Sequence, residues 1–271
     1  MENDPLNSQD EDDDEFQPQM NYCCGIKGDP VVSRKFRDAR TRCGFVSLVF
    51  VLKLMQMAVV AFCLYYMIAD EDLYGLLLRY NSLKPFNIPF VTSQQLQPYN
   101  WCMFLAFILL IFNFSCARCM NMGRSFPMNC IFLILNTFCI CVICSDLVTV
   151  SWVQPYRYMI FLIVTTIGFL CLGICVLTAL FDVEAIERGI YAGLFVYFLI
   201  LFGFAHFVYV SSLGTGSTYH IEYDQFLKNV SVGGGIGLFI NMVQLWYVQE
   251  MICGRVLSLH ENEFIYVSLL V

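Results

Sequence analysis

The sequence predicts an all-α integral membrane protein, a polytopic helical bundle with six spans. Three observations predict it. Of 271 residues, 58% are hydrophobic and only 14% charged, where a soluble domain carries about a quarter charged residues. Six runs are long and apolar enough to cross about 30 Å of hydrocarbon, which takes roughly 20 residues. In lipid the backbone must satisfy its own hydrogen bonds, so runs of this length fold as helices. A soluble globular enzyme is excluded on these grounds.

The elements follow in order. Residues 1–20 hold eight acids and no Lys or Arg, so the other 251 residues carry a net charge of +1 out of a total of −7. This acidic head is expected to be a disordered cytosolic tail, because it has too little apolar surface to order itself. Residues 21–43 form a basic juxtamembrane segment with Arg34, Lys35, Arg37, Arg40 and Arg42. No basic start followed directly by a short apolar run opens the chain, so the first membrane helix is expected to direct insertion. The membrane domain spans 44–252, with helices expected at 44–68, 101–117, 129–150, 158–181, 189–211 and 230–252. Residues 253–271 form a short C-terminal tail.

Lys and Arg in the flanks set orientation. Ten fall on one side of the membrane and four on the other, which puts both termini in the cytosol. The loops at 69–100 and 212–229 then face the lumen or exterior. Asn229-Val230-Ser231 matches a glycosylation acceptor on that side but abuts a span. The near-neutral body lacks the basic face that nucleic-acid binding requires. Nine of the fourteen Cys lie in apolar runs, where a thiol packs as a small hydrophobe, so no disulfide framework is expected.

Ionisable groups at membrane depth are functional candidates. Lys53 is expected to snorkel or to pair with a carboxylate, Asp146 to reach interfacial water, and His206 to pack through a hydrogen bond. Asp182, Glu184 and Glu187 with Arg188 form a cytosolic loop, and Glu250 closes the sixth span on the same side. Joined together, these acids would form a cytosolic mouth for a cation. Gly233, Gly234, Gly235 and Gly237 open the sixth span. No Lys-Ser/Thr follows, which excludes a phosphate-cradling loop, and the small residues suit close helix packing. Cys116 and Cys119 have CxxC spacing without the second ligand pair that zinc needs. With Cys23 and Cys24 they read as free thiols or acylation sites. No nucleophile–base constellation, cofactor motif or metal cluster is visible, so the chain is not expected to be an enzyme.

Several segments together resemble the Bax inhibitor motif-containing (lifeguard-type) membrane proteins. Arg34-Lys35-Phe36-Arg37 is similar to the family's basic "R..F.RKVY" lead-in to the first helix. Phe126-Pro127-Met128-Asn129 with Thr137 resembles "FPxN…T", and Thr178–Phe181 through Gly193-Leu194-Phe195 resembles "LF.FQTKYDFT…G.LF". Gln249–Gly254 looks like "DTQLMLGG", and Ser258–Ile265 looks like "SLSPEEYI". The resemblance covers about residues 31–271 in register. It implies seven spans, an endoplasmic-reticulum or Golgi location, and a role in calcium homeostasis and apoptosis regulation. It also implies a carboxylate pair that gates a proton-sensitive calcium leak.

The departures bear on that pair. Tyr247 stands where the first aspartate would fall, and the second has no counterpart because the sequence reaches only the beginning of the seventh helix. Glu187 aligns with the Asp of "TKYDFT". The ion-pathway or proton-sensing candidates are therefore Glu187, Glu250, Asp146 and Tyr247. Two neighbouring carboxylates can share a proton and switch near neutral pH, which one tyrosine cannot do. The expectation is a lifeguard-like protein that modulates cell-death sensitivity and calcium with an impaired or absent pH-gated leak. The alternative is a non-transporting scaffold bound to membrane proteins or a second copy of itself. The lipid bilayer is the common partner, and calcium the ion implied.

Overall fold

The structure is a computed structural model that describes residues 36, 38–70, 72, 75, 101–119, 122–149, 157–180, 189–214, 223–254 and 263–271. The acidic head, the 69–100 loop beyond its first residues, the loop holding Glu187, and Cys23 and Cys24 lie outside them. Among the described residues there are seven α-helices: α1 (Ala39–Ala69), α2 (Trp101–Cys119), α3 (Met128–Thr149), α4 (Arg157–Leu180), α5 (Gly189–Gly214), α6 (Tyr223–Ile252) and α7 (Phe264–Leu270). A 3₁₀ turn, Met122–Arg124, joins α2 to α3. Five helices (α1 and α3–α6) are long and apolar enough to cross a membrane, and the apolar stretch counted in α2, Met103–Ala117, is shorter.

Two boundaries differ from the sequence reading for a local reason. α1 starts at Ala39 because Asp38 caps it, its Oδ2 accepting from Thr41 N at 3.2 Å. A side-chain acceptor there satisfies a donor that the first turn leaves orphaned. Ahead of the cap, Arg42 donates to Phe36 O at 2.7 Å and the Phe36 ring meets Phe45 edge-on at 5.0 Å. Phe36 is thus packed against the helix that follows it. α6 begins at Tyr223, seven residues before the apolar run, with Asp224 in its first turn, where the helix dipole favours an acid. Phe226 in this extension stacks on Tyr209 of α5 at 4.3 Å. The sequon residue Asn229 is therefore inside a helix and only 8% exposed, which does not present it for glycosylation.

α1 is the centre of the bundle. It packs most extensively on α4, and also on α3 and α7, while α4 carries α6 on its other side. α1 and α4 run antiparallel: Cys175 Sγ–H donates to Ser47 O at 3.7 Å near one end, and Gly168 faces Met57 and Leu54 further along. α4 and α6 run parallel, with Gly233 against Met159 and Gly237 against Thr166. Cys63 and Cys141, each past the middle of its helix, share a thiol–thiol contact between α1 and α3. Tyr266 of α7 packs on Gly123 and Arg124 just before α3, and Val271 O accepts from Gln244 late in α6, so α3 begins near the end of α6 and runs with α1. The ten described cysteines are all free thiols.

The outside of the bundle is apolar. Phe62, Phe112, Ile134, Phe204 and Phe239 are among many large side chains turned outward, as expected where lipid replaces water and association relies on packing rather than on burial from solvent. α5 is the most peripheral helix. Only 6% of its apolar stretch is buried, against 44% for α1 and α4.

The short C-terminal tail, which resembles the start of a seventh helix, contains α7. α6 closes at Gly254, whose N–H bonds to Met251 O at 2.9 Å and whose φ of 70° is the left-handed conformation that ends many helices. The chain then returns as α7, with Tyr266, Val267, Ser268, Leu269 and Leu270 buried against α1, α2 and α3.

Candidate functional site

The interior polar groups gather along α4, which packs on both α1 and α6, and glycine makes the approach of α6 possible. A Cβ at Gly237 would lie 3.0 Å from Thr166, and one at Gly233 would lie 3.3 Å from the Met159 carbonyl. Gly234 faces α5, where a Cβ would stand 2.9 Å from Phe198. Gly235, singled out with them, makes no such approach; a Cβ there meets nothing within 4 Å. One turn beyond Gly237, the close approach brings Asn241 into α4. Asn241 Nδ2 donates to Gly237 O at 3.1 Å and Ile167 O at 3.4 Å, and its Oδ1 accepts from the Cys171 thiol at 3.3 Å. Both ends of this buried amide are satisfied, as burial in an apolar medium demands.

Lys53 of α1 stands beside Cys171. It neither snorkels nor pairs. The residue is 5% exposed, sits near the midpoint of a 31-residue helix, and forms no salt bridge with any described residue. Its stem cannot reach either interface, because about 20 Å of helix lies on each side of it. One turn along the same helix, Gln56 is 3% exposed, and neither its Nε2 nor its Oε1 has a hydrogen-bond partner among the described residues. Gln244 of α6, three residues past Asn241, donates through Nε2 to Val271 O at 3.0 Å while its Oε1 is unpaired. The tip of α7 therefore ends about one turn from this polar layer.

The carboxylate candidates do not converge. Asp146 is only 5% exposed, so it is a buried group and not one bathed in interfacial water. It lies 18 residues after Met128 on α3, roughly 27 Å along the helix. Glu250 is half-buried at the C-terminal end of α6. Since α3 runs with α1 and α6 runs against it, these two acids stand at opposite ends of the bundle. Tyr247 is half-buried against the core, and Glu187 lies outside the described residues. Among the described residues no group of three His, Cys, Asp or Glu is placed to hold a metal ion. His206 is half-buried on the peripheral α5.

A second cluster, not anticipated from the sequence, fixes α7. The Arg124 guanidinium lies 5.4 Å from the centre of the Tyr266 ring and pairs with Glu263 at 3.7 Å. Gly123 leaves room for that ring, since a Cβ there would be 2.9 Å from Tyr266 Cδ2. The arrangement closes one end of the bundle between α1, α2 and α3. The readable signals for the first cluster were single amides and one cation inside apolar runs (Lys53, Gln56, Asn241, Gln244), which in membranes mark helix–helix contacts.

Comparison of the chain with family models, with curated proteins and with solved structures finds no match.

Proposed function

We propose that this chain is a lifeguard-type multi-pass endomembrane protein, with both termini in the cytosol, that modulates intracellular calcium and cell-death sensitivity. In this reading it does so without a carboxylate-gated, proton-sensitive leak. The motif series read from the sequence supports the first part. The observation that carries the second is the separation of Asp146 and Glu250 to opposite ends of the bundle. Acids so far apart cannot share a proton, so among the described residues the electrostatic basis for a pH switch near neutrality is missing.

Expression of the full chain in cells with a store-targeted calcium sensor tests both parts. The expected result is a changed resting store content, with a passive leak after pump blockade that is the same at neutral and mildly acidic cytosolic pH. Unchanged store content removes the calcium role, and a leak accelerated severalfold by acid removes the ungated reading. The alternative scaffold reading has the sparsely packed α5 in its favour. In that case deletion of residues 1–19 changes the co-purifying proteins while store calcium stays constant.

A further inference from the structure

We propose that Lys53 and Gln56 hold one monovalent inorganic anion of halide size inside the bundle, on the part of α1 that packs against α4. The starting point is a charge without a counter-charge among the described residues. A desolvated ammonium costs several kcal/mol unless an opposite charge or a set of acceptors meets it. α4 carries no Asp or Glu between Tyr158 and Leu180, and α6 carries none between Asn229 and Gln249. On α3 the acid is Asp146. With Cys63 and Cys141 at one height, Asp146 lies about 22 Å along the axis from Lys53, well beyond reach of its ammonium. α7 contains no charged residue.

The polar neighbours do not neutralise Lys53 either. Asn241 Oδ1 is the acceptor for Cys171, and its orientation is fixed because Nδ2 is committed to two carbonyls. Cys171 is thereby held as a thiol and supplies no negative charge. The hydroxyls of Thr165 and Thr178 are turned back onto carbonyls of their own helix at 2.9 Å. Among the described residues Lys53 has no hydrogen-bond or ion-pair partner, and one turn away the Gln56 amide is buried and unpaired at both ends. Two donors suit a single-atom anion. A carboxylate or a phosphate ester presents several oxygens and needs more donors than this layer offers.

The test uses the full chain purified in detergent with sodium bromide as the only halide, then moved into gluconate at equal ionic strength. Bromide per chain is counted by elemental mass spectrometry, and thermal midpoints are compared across bromide concentrations. The expected result is about one retained bromide, or a saturable bromide-dependent rise in midpoint where exchange is fast. Lys53→Met abolishes either signal, Gln56→Leu weakens apparent affinity at least tenfold, and Lys53→Arg retains it. If the unmodified chain shows neither retained bromide nor an anion-dependent midpoint, the site does not exist. Equal binding by a folded Lys53→Met protein places the bromide elsewhere and overturns the assignment. This readout is independent of calcium stores, so the anion site and the calcium role can fail separately.

Discussion

Tyr266 gives the sharpest test of how α7 is held. The side chain is fully buried, its ring lies over Gly123 and under Arg124, and its hydroxyl has no hydrogen-bond partner among the described residues. Truncation to Ala removes the ring and leaves a cavity, which costs about 3–5 kcal/mol for large aromatics. Loss of the cation–π contact adds about 0.5–2 kcal/mol. Tyr266→Phe has the opposite logic. It keeps the ring and deletes a polar atom that is buried and unmet, so stability stays the same or rises by about 1 kcal/mol. Gly123→Ala drives a methyl into the ring and costs about 1–3 kcal/mol through overpacking. Thermal unfolding in detergent can be followed by a thiol-reactive fluorophore, since Cys116, Cys139 and Cys171 are buried free thiols. The midpoint is expected to fall by roughly 10 °C or more for Tyr266→Ala and to hold or rise for Tyr266→Phe. A Phe variant as unstable as the Ala variant would mean that the hydroxyl is bonded. An unchanged Ala variant would mean that α7 is not docked through this ring.

Three further outcomes follow from the packing. Mild oxidation should join Cys63 to Cys141, because their thiols are in contact across α1 and α3; peptide mass spectrometry detects the link, and its absence refutes that contact. Gly237→Val should separate α6 from α4, since even a Cβ would meet Thr166 at 3.0 Å. Gly235→Ala should be neutral or stabilising by about 0.5–1 kcal/mol, as it fills open space and gains helix propensity, and equal midpoints for the two variants refute the α4–α6 contact. Asn113→Leu removes an amide donated to Phe132 O at 2.9 Å between α2 and α3. Interhelical hydrogen bonds of this kind average about 0.6 kcal/mol in a membrane protein, so a loss above about 3 kcal/mol refutes this accounting.

The long spans were legible because length and hydropathy alone require helices in lipid. α3 and α4 match the reading to within one residue at each end, being bounded by charge, proline or polar residues. α6 ran seven residues further because Tyr223–Asn229 is polar and hydropathy does not see it, although Asp224 was a readable start signal. α1 was extended by the cap at Asp38, which a hydropathy window also ignores. α7 is shorter than any such window, and the sequence showed it only through a resemblance. Which face of each helix points inward was not legible. Leu and Phe suit lipid and core alike, so Phe62 and Phe50, twelve residues apart on α1, differ fully in exposure with no difference in kind. For the same reason the sequence could not place Lys53. Its neighbour Cys171 lies 118 residues away, and Asn241, which Cys171 bonds, lies 188 away.

The central position of α1 has a consequence for biosynthesis. α1 is made early, yet its inner surface is completed by α3, α4 and finally α7, whose first residue comes 195 positions after Ala69. At ordinary elongation rates that interval lasts roughly 10–40 s. During it a helix carrying an interior lysine waits without the neighbours that will enclose it. The inner face of α1 is therefore completed only after most of the chain has been made.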